Sequence, residues 1–304
     1  MNEFDDILNN NPETPAADVE QQNGGKRLSD AEYAAMKKAE RDGVYAMIKS
    51  TTAEIAGDSF KFHGYLDVQS RFNRYSVNNA ILILAQRPDA TRFGELKYWK
   101  TQKVFIKQSE LENYFLILKQ GNEYRRTDGG IGVSYDPVRV YDISQSERKI
   151  LNPLPPSFTE RQLLTALVSK PPVKVSGVDE LPDDLCAMTN RETGEISVRK
   201  GMAFSNTFKS LAQELAAAEL ANGKATQREP DFSAYCASYL LCEKYGVDTQ
   251  DFTFEEAPHV LRDMDEKAVK DELAQIRDAA NSISERMERQ LEAVQKAARD
   301  DGAR

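Results

Sequence analysis

The chain has 304 residues, 40% hydrophobic and 29% charged, and a formal net charge of −9. That length allows two ordinary domains, and no apolar run approaches the ~18–20 residues of a membrane span. Three cysteines (Cys186, Cys236, Cys242) and two histidines far apart (His63, His259) exclude a disulfide framework and a His-rich metal site.

Residues 1–28 are rich in Asn, Gln, Pro and Asp and are expected to form a disordered tail. The first ten, MNEFDDILNN, lack the basic and apolar regions of a secretory signal, so a cytoplasmic protein without a membrane partner is expected. Ser29, with Glu32 three residues on, predicts a capped helix to about Ala56, with Gly43 as the place for a bend. A second helix is predicted over 59–73, with Phe60, His63, Tyr65, Leu66, Val68 and Phe72 as candidates for burial or partial burial. Ser76 caps a third, NNAILILAQ, stopped by Pro88, and a fourth spans 93–101. NYFLILK (113–119) alternates as a strand does. The turn Asp128-Gly129-Gly130 followed by IGVSYDPVRVYDIS completes a hairpin. Residues 29–146 therefore read as helices followed by a small antiparallel sheet.

A Pro-rich stretch makes 147–157 the expected linker. In 158–304 the pattern predicts a helix over 159–169, a strand at 173–175, and strands at 186–188 and 195–199 about a turn at Thr193-Gly194. Three helices follow: LAQELAAAEL (211–220), 232–245 and 263–299. The last carries Leu273, Ile276, Ala280, Ile283, Met287, Leu291 and Val294 on one apolar face. Such a face packs on its own domain or pairs as a coiled coil.

Charge is uneven along the chain. Between residues 58 and 126 there are 12 Lys/Arg and 7 Asp/Glu. A basic module inside an acidic chain can still bind polyanions locally, since screening limits the reach of distant charge to about 8–10 Å. Single-strand binding needs cations for phosphates and flat rings for bases. Arg71, Arg74, Arg87, Arg92, Lys97, Lys100, Lys103 and Lys107 supply the first; Phe72, Tyr75, Phe93, Tyr98 and Trp99 supply the second. Aromatics beside amphipathic helices also build cores, so at least half of these rings are expected to be buried, and Trp99 is either a core anchor or a stacking platform. Asn78 and Asn79 read as helix-start hydrogen-bonders rather than base readers. The candidate DNA-binding set is Arg71, Arg74, Tyr75, Arg87, Arg92, Trp99, Lys100, Lys103 and Lys107.

In the second half, LAQELAAAEL differs from a zinc-hydrolase helix where the chemistry matters. Two helical histidines four residues apart would bind the metal beside a general-base Glu. Here Gln213 and Ala217 stand at the ligand positions and only Glu214 remains.

Residues 75–92, YSVNNAILILAQRPDATR, with Trp99-Lys100 and VYDISQS (140–146), resemble the N-terminal domain of ArdC-type antirestriction proteins of conjugative mobile elements. GEISVRKGM, FKSLAQELAAAEL and AYCASYLLCEKYGVDTQDF resemble a zincin-like metallopeptidase domain of the ImmA/IrrE type. The resemblance implies an α+β chain of two domains: a single-stranded DNA-binding domain at 29–146 and a zincin-like domain at 158–304 ending in a long helix. It also implies an acidic third ligand where Ser233 or Tyr235 now stands, with Asp231 as the nearest acid. Gln213, Glu214, Ala217 and Tyr235 are then vestigial, and no catalytic residue, metal or cofactor is expected. Lys103 and Ser109 occupy loop positions where the family pattern has Gly. The implied function is sequence-tolerant binding of single-stranded DNA in antirestriction or conjugation, with a protein partner at the C-terminal domain or helix. The alternatives are a protein-interaction or sensing scaffold without DNA binding, and a residual hydrolase using Glu214 and Asp231 with another ion or none.

Overall fold

The computed structural model describes residues 29–125, 129–147, 157–190, 192–222 and 231–302. The expected tail, 1–28, lies outside them. Helix α1 spans Asp30–Gly57. Ser29 Oγ accepts the Glu32 N–H (3.3 Å) while the Glu32 carboxylate accepts from Ser29 N–H and Oγ–H (2.8 Å each). This is the reciprocal capping box, and these bonds hold the Glu32 carboxyl below its ordinary range. The chain forms two compact units, to Gly43 and from Val44. The second unit carries the rest of α1, every later element and the buried core.

Helix α2 (Ser59–Arg71) is capped by Asp58, which accepts the Lys61 N–H at 2.9 Å. Phe62, Tyr65, Leu66 and Gln69, at helical spacing, form its buried stripe. Phe60 falls on the opposite side and is 82% exposed, which corrects the expectation that it is buried. Helix α3 (Val77–Gln86) starts at the Ser76 cap. The helix expected over 93–101 begins instead with a two-residue strand, β1 (Phe93–Gly94), and only then becomes α4 (Leu96–Thr101). The reason is tertiary: β1 pairs with the end of β3 (Ile131–Asp142), which also pairs with β2 (Phe115–Arg125). All pairings are antiparallel, in the order β1-β3-β2. The hairpin register shifts between Gln120 and Glu123, where a Cβ on Gly121 would sit 2.4 Å from Ser134 Oγ, so a larger residue here would have to displace the Ser134 and Asp136 side chains.

In the second half, Thr159 and Gln162 form a capping box at the start of α5 (Glu160–Leu167). Strands β4 (Val175–Val178), β5 (Ala187–Thr189) and β6 (Ile196–Arg199) form a sheet ordered β4-β6-β5, with β4 parallel and β5 antiparallel to β6. Helices α6 (Phe204–Asn222), α7 (Asp231–Tyr245), α8 (Ala257–Leu261) and α9 (Glu266–Gly302) complete the chain. The apolar face of α9 is covered by its own chain: Leu273, Ile276, Ala280, Ile283, Met287 and Leu291 are all core residues. The architecture is mixed helix and sheet, and among the described residues no helix is long and apolar enough to cross a membrane.

Most of the expected linker, 148–156, lies outside the described residues. Residues on its two sides share one core. Phe62 meets Phe232 and Phe254 at ring distances of 5.5 and 5.7 Å. Asn73 and Asn281 exchange bonds of 3.0 and 2.8 Å, joining the end of α2 to α9.

Candidate functional site

The candidate cations separate into those held by the protein and those turned to solvent. Arg71 Nη2 donates to the Pro88 carbonyl and Arg87 Nη2 to that of Asn113 (3.4 Å), so both arginines bracket the turn after α3. Arg74 lies 3.6 Å from Glu288 of α9. Arg92 lies over the Trp99 ring at 5.5 Å with its Nε buried, an arrangement favourable as a cation–π contact and poorly placed to meet a phosphate. Lys100, Lys103 and Lys107 are exposed. Lys103 has φ +55°, where a side chain costs about 1–2 kcal/mol and glycine is at ease.

The candidate rings mostly build cores. Tyr75 packs against Phe72 (5.9 Å) and Phe93 (5.1 Å), and burial pushes its phenol up to about 12. Trp99 is 1% exposed and donates Nε1–H to the Tyr141 carbonyl at 2.9 Å. It anchors a small second core with Val104, Tyr141 and Ile143, so the stacking role is corrected: its ring has no free face. Within the same basic segment Phe105 is exposed, at 60%, and it was not among the candidates. Its signal in the sequence is the alternation of KVFIK (103–107): Val104 and Ile106 face the small core while Lys103, Phe105 and Lys107 are exposed.

The motif residues around these groups act as fasteners. Asn79 donates to the Leu118 carbonyl (2.9 Å) and accepts its N–H (2.7 Å). Gln86, two turns further along α3, does the same with Leu116 (2.9 Å each). Two side-chain amides thus occupy the open edge of β2 where another strand would bond. This goes beyond the helix-start role expected of Asn79. At the far end of the hairpin, buried Asp142 accepts N–H groups from Thr91 (2.8 Å), Arg92 (3.1 Å) and Ser144 (2.9 Å). Gln145 accepts the Asp142 N–H and donates to Glu110 and to the Asn113 carbonyl. VYDISQS is therefore a clasp that fixes the 91–113 loop to β3.

In α6, Glu214 accepts a hydrogen bond from Thr189 Oγ1 of β5. Gln213 and Ala217 are half-buried, and Leu215 and Ala216 are core. Tyr235 lies in α7 against Phe252 (4.9 Å) and Phe254 (5.7 Å), its hydroxyl accepting the Thr253 N–H at 2.9 Å. Ser233 donates to Glu272, and Asp231 is exposed at the start of α7. An amide, a methyl and an engaged phenol do not fit zinc, which takes imidazole, thiolate or carboxylate donors. Among the described residues no three His, Cys, Asp or Glu side chains are grouped to hold a metal ion.

Among solved structures, the chain is similar to the metal-free crystal structure of the antirestriction protein ArdC from plasmid R388. Identity is 13%, covering 71% of this chain and 86% of that one, with a TM-score of 0.45. No family model matches the chain, and no curated protein does.

Proposed function

We propose that this chain binds single-stranded DNA with little sequence preference, through the exposed cations of residues 71–107, and that its peptidase-like helix has no hydrolytic role. The observation that carries this reading is a concentration of charge. Residues 71–107 hold eight Lys/Arg against two Asp/Glu, and residues 96–109 hold four Lys and no acid. Lys100, Lys103 and Lys107 present that charge to solvent. Lysines that neutralise phosphates release counterions, which makes such binding strong at low salt, weak at high salt and indifferent to sequence. A role in antirestriction or conjugation is the biological form that the resemblance of residues 75–92 gives to this chemistry. The α6 positions lack zinc donors and the Glu214 carboxylate is engaged by Thr189, which supports an inert second half.

The test is a titration of labelled oligonucleotides across salt concentrations. Log affinity should fall linearly with log salt, with a slope of about −0.7 for each phosphate neutralised. The triple variant K100E/K103E/K107E should bind every single-stranded sequence more weakly and with a shallower slope. No binding at low salt would remove the DNA reading and leave the interaction scaffold. One tightly held zinc per purified chain would overturn the inert-peptidase reading.

A further inference from the structure

We infer that Phe105 is the base-stacking platform of this chain, with Lys103 and Lys107 meeting the phosphates on either side of the stacked nucleotide. The inference rests on the proposed single-stranded DNA binding and gives it a site. The local backbone explains why the ring stands out. Phe105 O accepts the Glu147 N–H (2.8 Å), Ile106 bridges Ser146, and Lys107 N–H donates to Gln145 O (3.0 Å). Residues 105–107 are thus extended and laced to the segment that follows the Asp142–Gln145 clasp. Side chains alternate in extended chain, so Ile106 enters the small core while Phe105 and Lys107 leave it. On the other side, Val104 N–H donates to Trp99 O (2.9 Å) and Lys103 N–H to Lys100 O (3.0 Å). A ring on a backbone fastened at both ends loses little freedom when a base stacks on it, which favours binding.

An exposed ring alone means little, since single surface hydrophobics are common. Its surroundings make the difference. Phe60 is more exposed still, but it lies near Asp58 and a Glu54–Lys61 ion pair (3.1 Å), where no net positive charge invites a phosphate. Phe105 has a lysine two residues away on each side and Lys100 in the last turn of α4 just before it. The neighbouring acids are Glu147, opposite it on the paired segment, and Glu110, whose carboxylate accepts from Gln145 and Asn113. Lys103 keeps its side chain at φ +55°, a conformation in which glycine would be unstrained. Charge complementarity and the flat ring together select a single-stranded polyanion with unpaired bases.

The test uses the full chain and oligonucleotides carrying a fluorescent base analogue. Phe105→Ala and Phe105→Leu should each weaken single-strand binding about tenfold and abolish the quenching of the analogue that stacking produces. Phe105→Trp should restore both. Lys103→Gly should leave the melting temperature unchanged or raise it, while lowering affinity and reducing the salt slope by about 0.7. Unaltered affinity and quenching in Phe105→Ala, with the parent chain binding, would overturn this inference alone. Absence of binding by the parent chain removes it together with the DNA reading. Equal loss in Phe105→Trp and Phe105→Ala would mean that packing, not stacking, was disturbed, and would likewise overturn it.

Discussion

Asn79 sits in the first turn of α3 with its amide turned away from the helix and toward the edge of β2. Both of its bonds go to one buried residue, Leu118. Replacing the amide with a methyl-bearing side chain of similar size leaves that N–H and carbonyl unpaired, at about 1–3 kcal/mol each. Asn79→Leu should therefore destabilise the chain by about 2–6 kcal/mol in urea unfolding. Equal stability of Asn79→Leu and the parent would show that the edge of β2 finds other partners. The polar residues of this half thus serve first as scaffold. Asn79, Gln86, Trp99 and Asp142 all spend their polar atoms on backbone groups.

At the scale of elements, the hairpin and its clasp fix the candidate binding loop. Glu110 is part of the fastening: bonds from Gln145 and Asn113 hold its carboxyl below the ordinary Glu range. The sign follows from linkage. A carboxyl with a depressed folded-state pKa stabilises the fold above its unfolded pKa, and this contribution is lost as pH falls through the folded one. Glu110→Gln should accordingly lower the melting temperature at neutral pH, and the gap to the parent should close below about pH 4. A gap that is constant from pH 7 to pH 3 would mean that the carboxylate charge is not what holds Gln145. Helix α9 shows the same use of an element for internal fastening. Its apolar face is covered within the chain, and Lys244 of α7 reaches Ser284 (2.6 Å) and Glu288 (2.7 Å) on it. A partner at this helix would have to use the other face.

At the scale of the whole unit from Val44, the halves on either side of 147–157 are joined by polar as well as apolar contacts. Tyr239 of α7 donates its hydroxyl proton to Asp67 of α2, which leaves the phenol oxygen to accept from His63 Nε2–H at 2.9 Å. With Phe62 packed on Phe232 and Phe254, neither half can be removed without exposing core surface. Scanning calorimetry of the full chain should show one cooperative transition for this unit, and residues 44–146 alone should melt without a cooperative step. Two resolved transitions would mean that the halves are independent domains.

Much of the local structure was legible in the sequence. The Ser29 and Ser76 caps, the hairpin and the long amphipathic helix each follow from bonds or periodicities spanning a few residues. That the helix 211–220 carries no histidine was equally plain, because it depends on residue type and not on geometry. Burial was harder to read. Phe60 and Phe62 are indistinguishable by composition, and only the helix that α2 packs against decides which is covered. Trp99 and Phe105 lie six residues apart in the same basic segment, yet one anchors a core and the other faces solvent. The difference arises because residues 105–107 pair with 145–147, some forty positions later. By itself the sequence determined most of the elements and the charge of the 71–107 segment, since propensity, capping and charge are local, but not the strand at Phe93–Gly94, which a distant pairing imposes. Tertiary structure alone decided which rings and which lysines stay exposed, since exposure depends on which distant segments fold back to cover them.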